Sequence, residues 1–421
     1  MDITVSSATY HGSVTVPPSK SAAHRAILAA AMAHGRSVIK NVDLSSDIRA
    51  TIGACRSLGC TVAVEPGERY NTLTVDGGLS LSGETTIDCA ESGSTLRFLI
   101  PVACTLSGTK TFTGRGRLPY RPLDAYLNIF DEQSLAFSHP ADANLPLTVS
   151  GKLHGGSYSI DGRVSSQYVT GLLYALPVLE ANSSVSVLGG FESRGYVDLT
   201  VDMLRRFGIV VGVSGDSFII KGGQNYRPQN ITVEGDYSQA AFFIVAGTIA
   251  GEIRIDGLDS HSLQPDRAIL SIMRRMGADM TDEGGILIVK PSVLTGTEID
   301  VSQCPDLVPP LAIAAAFAQG QTRITGAARL RIKECDRLHA LAVNLHSLGI
   351  KADETNDELI IQGGSMTGGS IDTFGDHRIA MAFAVAAASA SGEIRIPGAE
   401  CIDKSYPTFY DDLKALGGNI R

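Results

Sequence analysis

The chain has 421 residues, too many for one ordinary hydrophobic core, so two domains are expected. Its 44% hydrophobic and 19% charged residues are those of a globular protein, which excludes a disordered chain. With 35 Lys and Arg against 44 Asp and Glu the net charge is −9, which argues against bulk binding to nucleic acid or an anionic membrane, so an anionic ligand must be met by a local cluster of bases.

The N-terminal stretch MDITVSSATY has no basic segment followed by an apolar one, so no signal peptide is expected. Seven cysteines at scattered positions, odd in number and without a CxxC pair, read as free thiols in a reducing cytoplasm. The longest apolar runs are about 10 to 13 residues, too short to span a bilayer.

One pattern then recurs six times along the chain, about every 70 residues. A polar cluster is followed at once by an Ala-rich apolar run. The clusters are Lys20-Ser21, Ser92-Gly93-Ser94, Ser165-Ser166-Gln167, Tyr237-Ser238-Gln239, Pro305-Asp306 and Asp376-His377-Arg378. Their runs, from AILAAAMA to IAMAFAVAAASA, predict buried helices, and strand-like stretches such as SVIKNV, TKTFTG and EIRIPGA follow. Between the runs lie amphipathic helices ending in Gly, such as SDIRATIGACRSLGC and YVDLTVDMLRRFGIVV. One copy, YLNIFDEQSLAFSHPADANLPLTVSG, lacks the Leu-Gly ending and is expected to be looser.

Each unit therefore reads strand, buried helix, strand, exposed helix and a strand pair. Six units divide into two groups of three, with KGGQNYRPQN at 221–230 as the linker candidate. The pattern begins mid-unit, so a first strand at about 1–15 is expected to pair with the second half. The expected domains are 16–228, and 1–15 with 229–421.

The polar clusters fall where a helix begins. There, free N–H groups and a partial positive charge suit anions. Bases gather in the same loops: Lys20 and Arg25; Arg115, Arg117 and Arg121; Arg329, Arg331, Lys333 and Arg337; His377 and Arg378; Lys404. Arg supplies bidentate donors for phosphate and carboxylate, and Lys a compact charge. Taken singly, each feature has a plain structural reading. Ser165 or Asp306 can be an N-cap, and Arg331 and Arg337 can form a solvated face paired with Glu334. Recurrence at corresponding places in different units favours a shared anion-binding role. No dinucleotide fingerprint, Walker loop or HExxH motif is present, and GRGRLPYRP lacks a third Gly, a preceding strand and a following apolar helix. No His, Cys or carboxylate group has metal-ligand spacing, so neither metal nor cofactor is expected.

At these residues the chain resembles the EPSP synthase (3-phosphoshikimate 1-carboxyvinyltransferase) family of enolpyruvyl transferases. PPSKSAAHRAILAA, SGSTLRFL, GRGRLPYRPL, DGRVSSQYVTGLLYALP, LRIKECDRL, GDHRIAMAFAVAA and CIDKSYPTF carry the likeness from the first repeat to the last. The resemblance implies a two-domain inside-out α/β barrel. Each domain has three βαβαββ repeats around buried parallel helices, and the active site lies in the cleft between them. It implies transfer of the enolpyruvyl group of phosphoenolpyruvate to the 5-hydroxyl of shikimate 3-phosphate through a tetrahedral intermediate, with loss of inorganic phosphate. It also implies a monomer working on free small molecules, with no nucleic acid and no membrane.

By the same resemblance, Lys20, Ser21, Arg25, Ser165, Ser166, Gln167, Ser193, Tyr196, Asp306 and Lys333 would hold shikimate 3-phosphate. Lys20, Gly93, Arg121, Gln167, Arg337, His377, Arg378 and Lys404 would hold phosphoenolpyruvate. Asp306 would accept the hydroxyl proton, Glu334 would move protons at the methylene carbon, and Lys20 would help phosphate to leave. Glu91, Arg329 and Cys335 depart from the family pattern and are assigned no role. The sister transferase acting on UDP-N-acetylglucosamine carries Lys-Asn near its start and a reactive Cys before the Arg-Pro. Here Lys20-Ser21 and the Cys-free loop GRGRLPYRP disfavour it. A non-catalytic anion-binding scaffold would need neither Asp306 nor Glu334, and the acidic balance disfavours an RNA-processing relative.

Overall fold

The computed structural model of the protein describes residues 1–80 and 83–421. The chain forms two compact units, Pro18–Val233 and Met1–Pro17 with Glu234–Arg421. Each has its own apolar core.

Among the described residues, six four-stranded sheets share one strand order. In the sheet Glu84–Asp88, Thr109–Thr113, Leu147–Ser150, Ala136–Ser138, the first strand runs parallel to the second, and the last three run antiparallel to one another. The buried helix Gly93–Ala103 joins the parallel pair, and the exposed helix Asp124–Glu132 precedes the closing hairpin. The same spatial order recurs in the other five sheets, but Gly12–Thr15 lies parallel to Ile253–Asp256 and Asn230–Thr232 to Gly35–Val42 across long stretches of chain, so in those two sheets no single helix joins the parallel pair.

Helices Lys20–Met32, Gly93–Ala103, Ser166–Ala175, Tyr237–Ala250, Val308–Ala316 and His377–Ala386 are the Ala-rich runs, and nearly every residue in them is buried. A helix apolar all round can exist only inside a core. In the unit holding the chain start, Tyr237–Ala250, Val308–Ala316 and His377–Ala386 pack pairwise on one another. In the other, Gly93–Ala103 lies against Ser166–Ala175 at Gly171, where a Cβ would come within 2.4 Å of both the Arg97 carbonyl oxygen and the Tyr126 hydroxyl. Small residues set this close approach.

Several expectations are corrected. The stretch at 1–15 forms two strands, Ile3–Ser6 and Gly12–Thr15, which join different sheets. Between them the Ala8 and Tyr10 amides donate to the Ala388 and Ala250 carbonyls, which interrupts strand pairing. The stretch at 221–230 is packed into its unit: Gly223 and Gln224 amides donate to Leu179 and Pro177 carbonyls, and Tyr226 is buried. Its last residue begins strand Asn230–Thr232, which pairs with Gly35–Val42, so the chain leaves the unit after Val233. A strand, Thr109–Thr113, does precede GRGRLPYRP. The copy without Leu-Gly forms the ordinary helix and hairpin. Exposed Ser134, at φ 56°, takes the left-handed position that Gly59, Gly208, Gly277, Gly349 and Gly417 occupy elsewhere.

Candidate functional site

Five of the six buried helices begin with a side-chain cap. Ser19, Ser92, Ser165, Asp236 and Asp376 accept backbone N–H bonds from the first turn. Lys20, Ser21, Gly93, Ser166, Gln167, His377 and Arg378 therefore lie beyond the caps, in the first turn itself. Val308–Ala316 is instead preceded by the short turn Pro305–Leu307, and Asp306 caps nothing.

The candidate residues divide between the units. In Pro18–Val233, Lys20 Nζ lies 2.8 Å from Asp47 Oδ2. Arg25 is buried and donates to Thr200 Oγ1 at 2.9 Å and to the Ser21 and Tyr196 carbonyls at 2.8 Å each. Tyr196 lies in the first turn of helix Arg194–Arg206, and Ser193 precedes it in the left-handed conformation, φ 54°. Lys20, Ser21, Arg25, Ser193 and Tyr196 thus form one group. A second is built on Gln167, which accepts from Arg97 Nη1 and donates to Ser94 Oγ, both at 2.9 Å. Gly93 sits against Arg121, whose Nη1 would be 2.6 Å from a Cβ placed there. The Ser165 hydroxyl caps its helix, accepting from the Gln167 amide.

In the other unit the groups converge on Asp306. Its carboxylate lies 3.1 Å from Arg337 Nη1, 3.3 Å from Arg378 Nη2 and 3.4 Å from Lys333 Nζ. Burial pushes its pKa up, but Arg378, Lys333 and Arg337 together outweigh burial and hold the carboxyl well below the usual range. Burial lowers the Lys333 pKa, with the Asp306 charge opposing. Arg337 is not on a solvated face: its side chain is 1% exposed, held by Asp376 at 2.7 Å and by Glu334 at 3.0 Å. Arg378 also donates to Ser238 Oγ at 2.9 Å. His377 is buried, with Nδ1 3.7 Å from Asp376 Oδ1. Lys404 ends the short helix Ala399–Lys404, which packs on His377–Ala386.

Among the other bases, Arg331 pairs with Asp336 and Glu354, a structural role. Exposed Arg115 lies 3.8 Å from Asp88. Arg329 donates to the Ser302 carbonyl at 2.7 Å, and Cys335 donates to Asp376 at 3.6 Å. Asp47, Arg97, Ser238 and Asp376 organise these groups without having been singled out for the site. Each is joined to its partner only by folding, although Asp376 and Ser238 stand inside two of the recurring polar clusters. Among the described residues, no group of three or more His, Cys, Asp or Glu could hold a metal ion, and no helix is long and apolar enough to cross a membrane.

A repeated α/β fold whose buried helix starts are lined with Arg, Lys and carboxylates is that of the enolpyruvyl transferases. The solved enolpyruvyl transferase NikO of Streptomyces tendae shares the fold, with TM-score 0.81 at 17% identity over 100% of this chain and 98% of that one. The profile of EPSP synthase (3-phosphoshikimate 1-carboxyvinyltransferase) matches residues 6–413, and the chain belongs to that family. It is 47% identical to the 3-phosphoshikimate 1-carboxyvinyltransferase of Clostridium kluyveri, covering 97% of this chain and 96% of that protein. It is 43% identical to the Clostridioides difficile enzyme of the same name over 97% and 96%. A solved EPSP synthase of Acinetobacter baumannii superposes with TM-score 0.83 at 30% identity, over 100% of this chain and 99% of that one.

Proposed function

We propose that the protein transfers the enolpyruvyl group of phosphoenolpyruvate to the 5-hydroxyl of shikimate 3-phosphate, with the two sets of side chains above as its machinery. The observation that carries the assignment of roles is Asp306, a carboxylate ringed by Arg337, Arg378 and Lys333, with Glu334 on the same Arg337 guanidinium, so that two neighbouring carboxylates differ in the cations that hold them.

Both substrates are polyanions, so bringing them together requires fixed positive charge. Arg25, Ser21, Lys20, Ser165, Ser166, Gln167, Ser193, Tyr196 and Lys333 bind shikimate 3-phosphate. Gly93, Arg121, Arg337, Arg378, His377 and Lys404, with Lys20 and Gln167, bind phosphoenolpyruvate. The reaction requires both sets to engage one pair of substrates, as the domain cleft of the family implies. Positioning of this kind contributes on the order of 7–11 kcal/mol.

Without substrate, Arg378, Lys333 and Arg337 hold Asp306 ionised and weakly basic. Substrate phosphate and carboxylate groups compete for those cations, and the carboxylate gains basicity when a hydroxyl proton must be taken. The 5-hydroxyl oxygen then bonds to the central carbon of phosphoenolpyruvate, its proton passes to Asp306, and Glu334 protonates the methylene carbon. In the second half Glu334 takes back a proton from the new methyl group, the double bond re-forms, and the C–O bond to phosphate breaks beside Lys20, the departing phosphate taking up the proton that Asp306 releases. Preorganised donors on the charged intermediate supply a few kcal/mol each. The protein is taken to work as a cytoplasmic monomer, which sedimentation at assay concentration checks.

Purified protein mixed with shikimate 3-phosphate and phosphoenolpyruvate, without added metal, should release inorganic phosphate and an enolpyruvyl ether. UDP-N-acetylglucosamine should not replace the first substrate. Asp306→Asn and Glu334→Gln should each lower turnover on the order of 10²–10⁴-fold while substrate binding survives. Unchanged turnover in either variant overturns the proton-transfer role of that carboxylate.

A further inference from the structure

Behind the turn that carries Asp236 lies a cavity of about 330 Å³ lined by Gln264, Arg267, Ser271 and Arg274, with Leu263 and Leu270 at its side. Arg267 and Arg274 are seven residues apart at the start and near the end of one helical run, about 10 Å along its axis, with Ser271 between them on the same face. Both arginines are exposed, and among the described residues neither has a carboxylate within ion-pair distance, in a chain of net charge −9. Arg25, Arg97, Arg329, Arg337 and Arg378 are held by acids or carbonyls. These two are not, and a hydroxyl stands between them.

The wall of this cavity is tied to the catalytic group. Gln264 is buried; its Oε1 accepts from the Tyr237 amide at 3.0 Å, and its Nε2 donates to the Gly235 carbonyl at 2.8 Å, so it clamps the turn on both sides of Asp236. Arg267 lies beside the Tyr237 hydroxyl, which donates to the Asp259 carbonyl at 3.0 Å. Ser238, the next residue, accepts from Arg378 Nη2 at 2.9 Å, and Arg378 in turn reaches Asp306.

We propose that this cavity is a second anion site, which takes a small oxyanion, phosphate or carboxylate, between the Arg267 and Arg274 guanidinium groups with Ser271 as a third donor. Guanidinium groups match both oxyanions bidentately. Occupancy draws Arg267 outward and shifts the Gly235–Ser238 turn, and with it the position of Arg378. Binding at Arg274 is independent of the catalytic reading. The effect on turnover rests on the roles of Arg378 and Asp306 proposed above.

The test titrates inorganic phosphate and, separately, citrate into the protein calorimetrically. It compares wild type, Arg274→Gln, Ser271→Ala and Arg121→Gln, the last marking binding at the proposed substrate site. One class of binding should persist in Arg121→Gln and weaken at least tenfold in Arg274→Gln, with Ser271→Ala intermediate. The probe that binds tighter identifies the oxyanion. Absence of such a class at millimolar probe, or its loss in Arg121→Gln with retention in Arg274→Gln, overturns the site. In kinetics, the tighter probe should change the KM for phosphoenolpyruvate at least twofold in wild type beyond any change in Arg274→Gln, whose turnover without probe stays normal. Equal effects in the two proteins refute the coupling even where binding stands.

Discussion

His24 makes a direct test of how the first buried helix is held. The imidazole is 1% exposed, its Nδ1 is 2.7 Å from Thr51 Oγ1, and its ring lies edge-on to Phe98. Thr51 Oγ1 in turn lies 2.6 Å from Thr95 Oγ1, which donates to the cap Ser92 at 2.7 Å, so one chain of hydrogen bonds joins three helices. Burial lowers the His24 pKa to about 3, while an unfolded histidine titrates near 6.5. Below pH 6.5 the unfolded chain binds a proton that the folded one refuses, so this residue's stability contribution is complete above that pH and is lost as pH falls toward 3. At about 1.4 kcal/mol per unit, with the rounded onset near 6.5, acidification from pH 7 to pH 5 should cost about 2 kcal/mol through His24 alone. Carboxylates add their own pH dependence, so the comparison is with His24→Asn, which keeps them all. Urea unfolding of both proteins at pH 7 and pH 5, followed by a probe in Pro18–Val233, should show wild type losing about 2 kcal/mol more than the variant. Equal losses would mean that the imidazole is protonated in the folded state, and the buried neutral chain would be wrong.

Asp376→Ala removes the acid 2.7 Å from Arg337 Nε and the cap of helix His377–Ala386, leaving a 1%-exposed guanidinium short of charge compensation; urea unfolding should register about 3–5 kcal/mol of destabilisation. Gly93→Ala places a Cβ 2.6 Å from Arg121 Nη1, so steady-state kinetics should show a raised KM for phosphoenolpyruvate with that for shikimate 3-phosphate little changed. Ser134→Gly relieves a left-handed non-glycine residue on an exposed turn and should raise stability by about 0.5–1 kcal/mol in the same unfolding assay, after the flexibility glycine adds to the unfolded chain.

The buried helices were legible because their composition admits one solution: a segment such as AAFFIVAGTIA has no polar face to give to water. The exposed helices were legible through their terminal glycines. The copy that seemed irregular shows the limit of that signal, since Ser134 adopts the conformation that glycine merely makes easier. Side-chain partnership was harder to read. Arg337 and Asp376 meet only because two helix starts from neighbouring repeats are brought together, and periodicity does not say which acid neutralises which base. Asp376 reads locally as an N-cap, and it is one; its second role toward Arg337 has no local signature. Likewise the division at 1–15 depended on carbonyls of Ala250 and Ala388, far along the chain.

The pairing of Ile3–Ser6 with Ile394–Ile396 and Asn419–Ile420 has a bearing on biosynthesis. Residues 18–233 are contiguous and can fold as they leave the ribosome, whereas Gly12–Thr15 must wait for Ile253–Asp256, and Ile3–Ser6 for partners roughly 390 residues later. Its short strands of four residues, interrupted at Ala8 and Tyr10, offer little edge for mispairing during that delay.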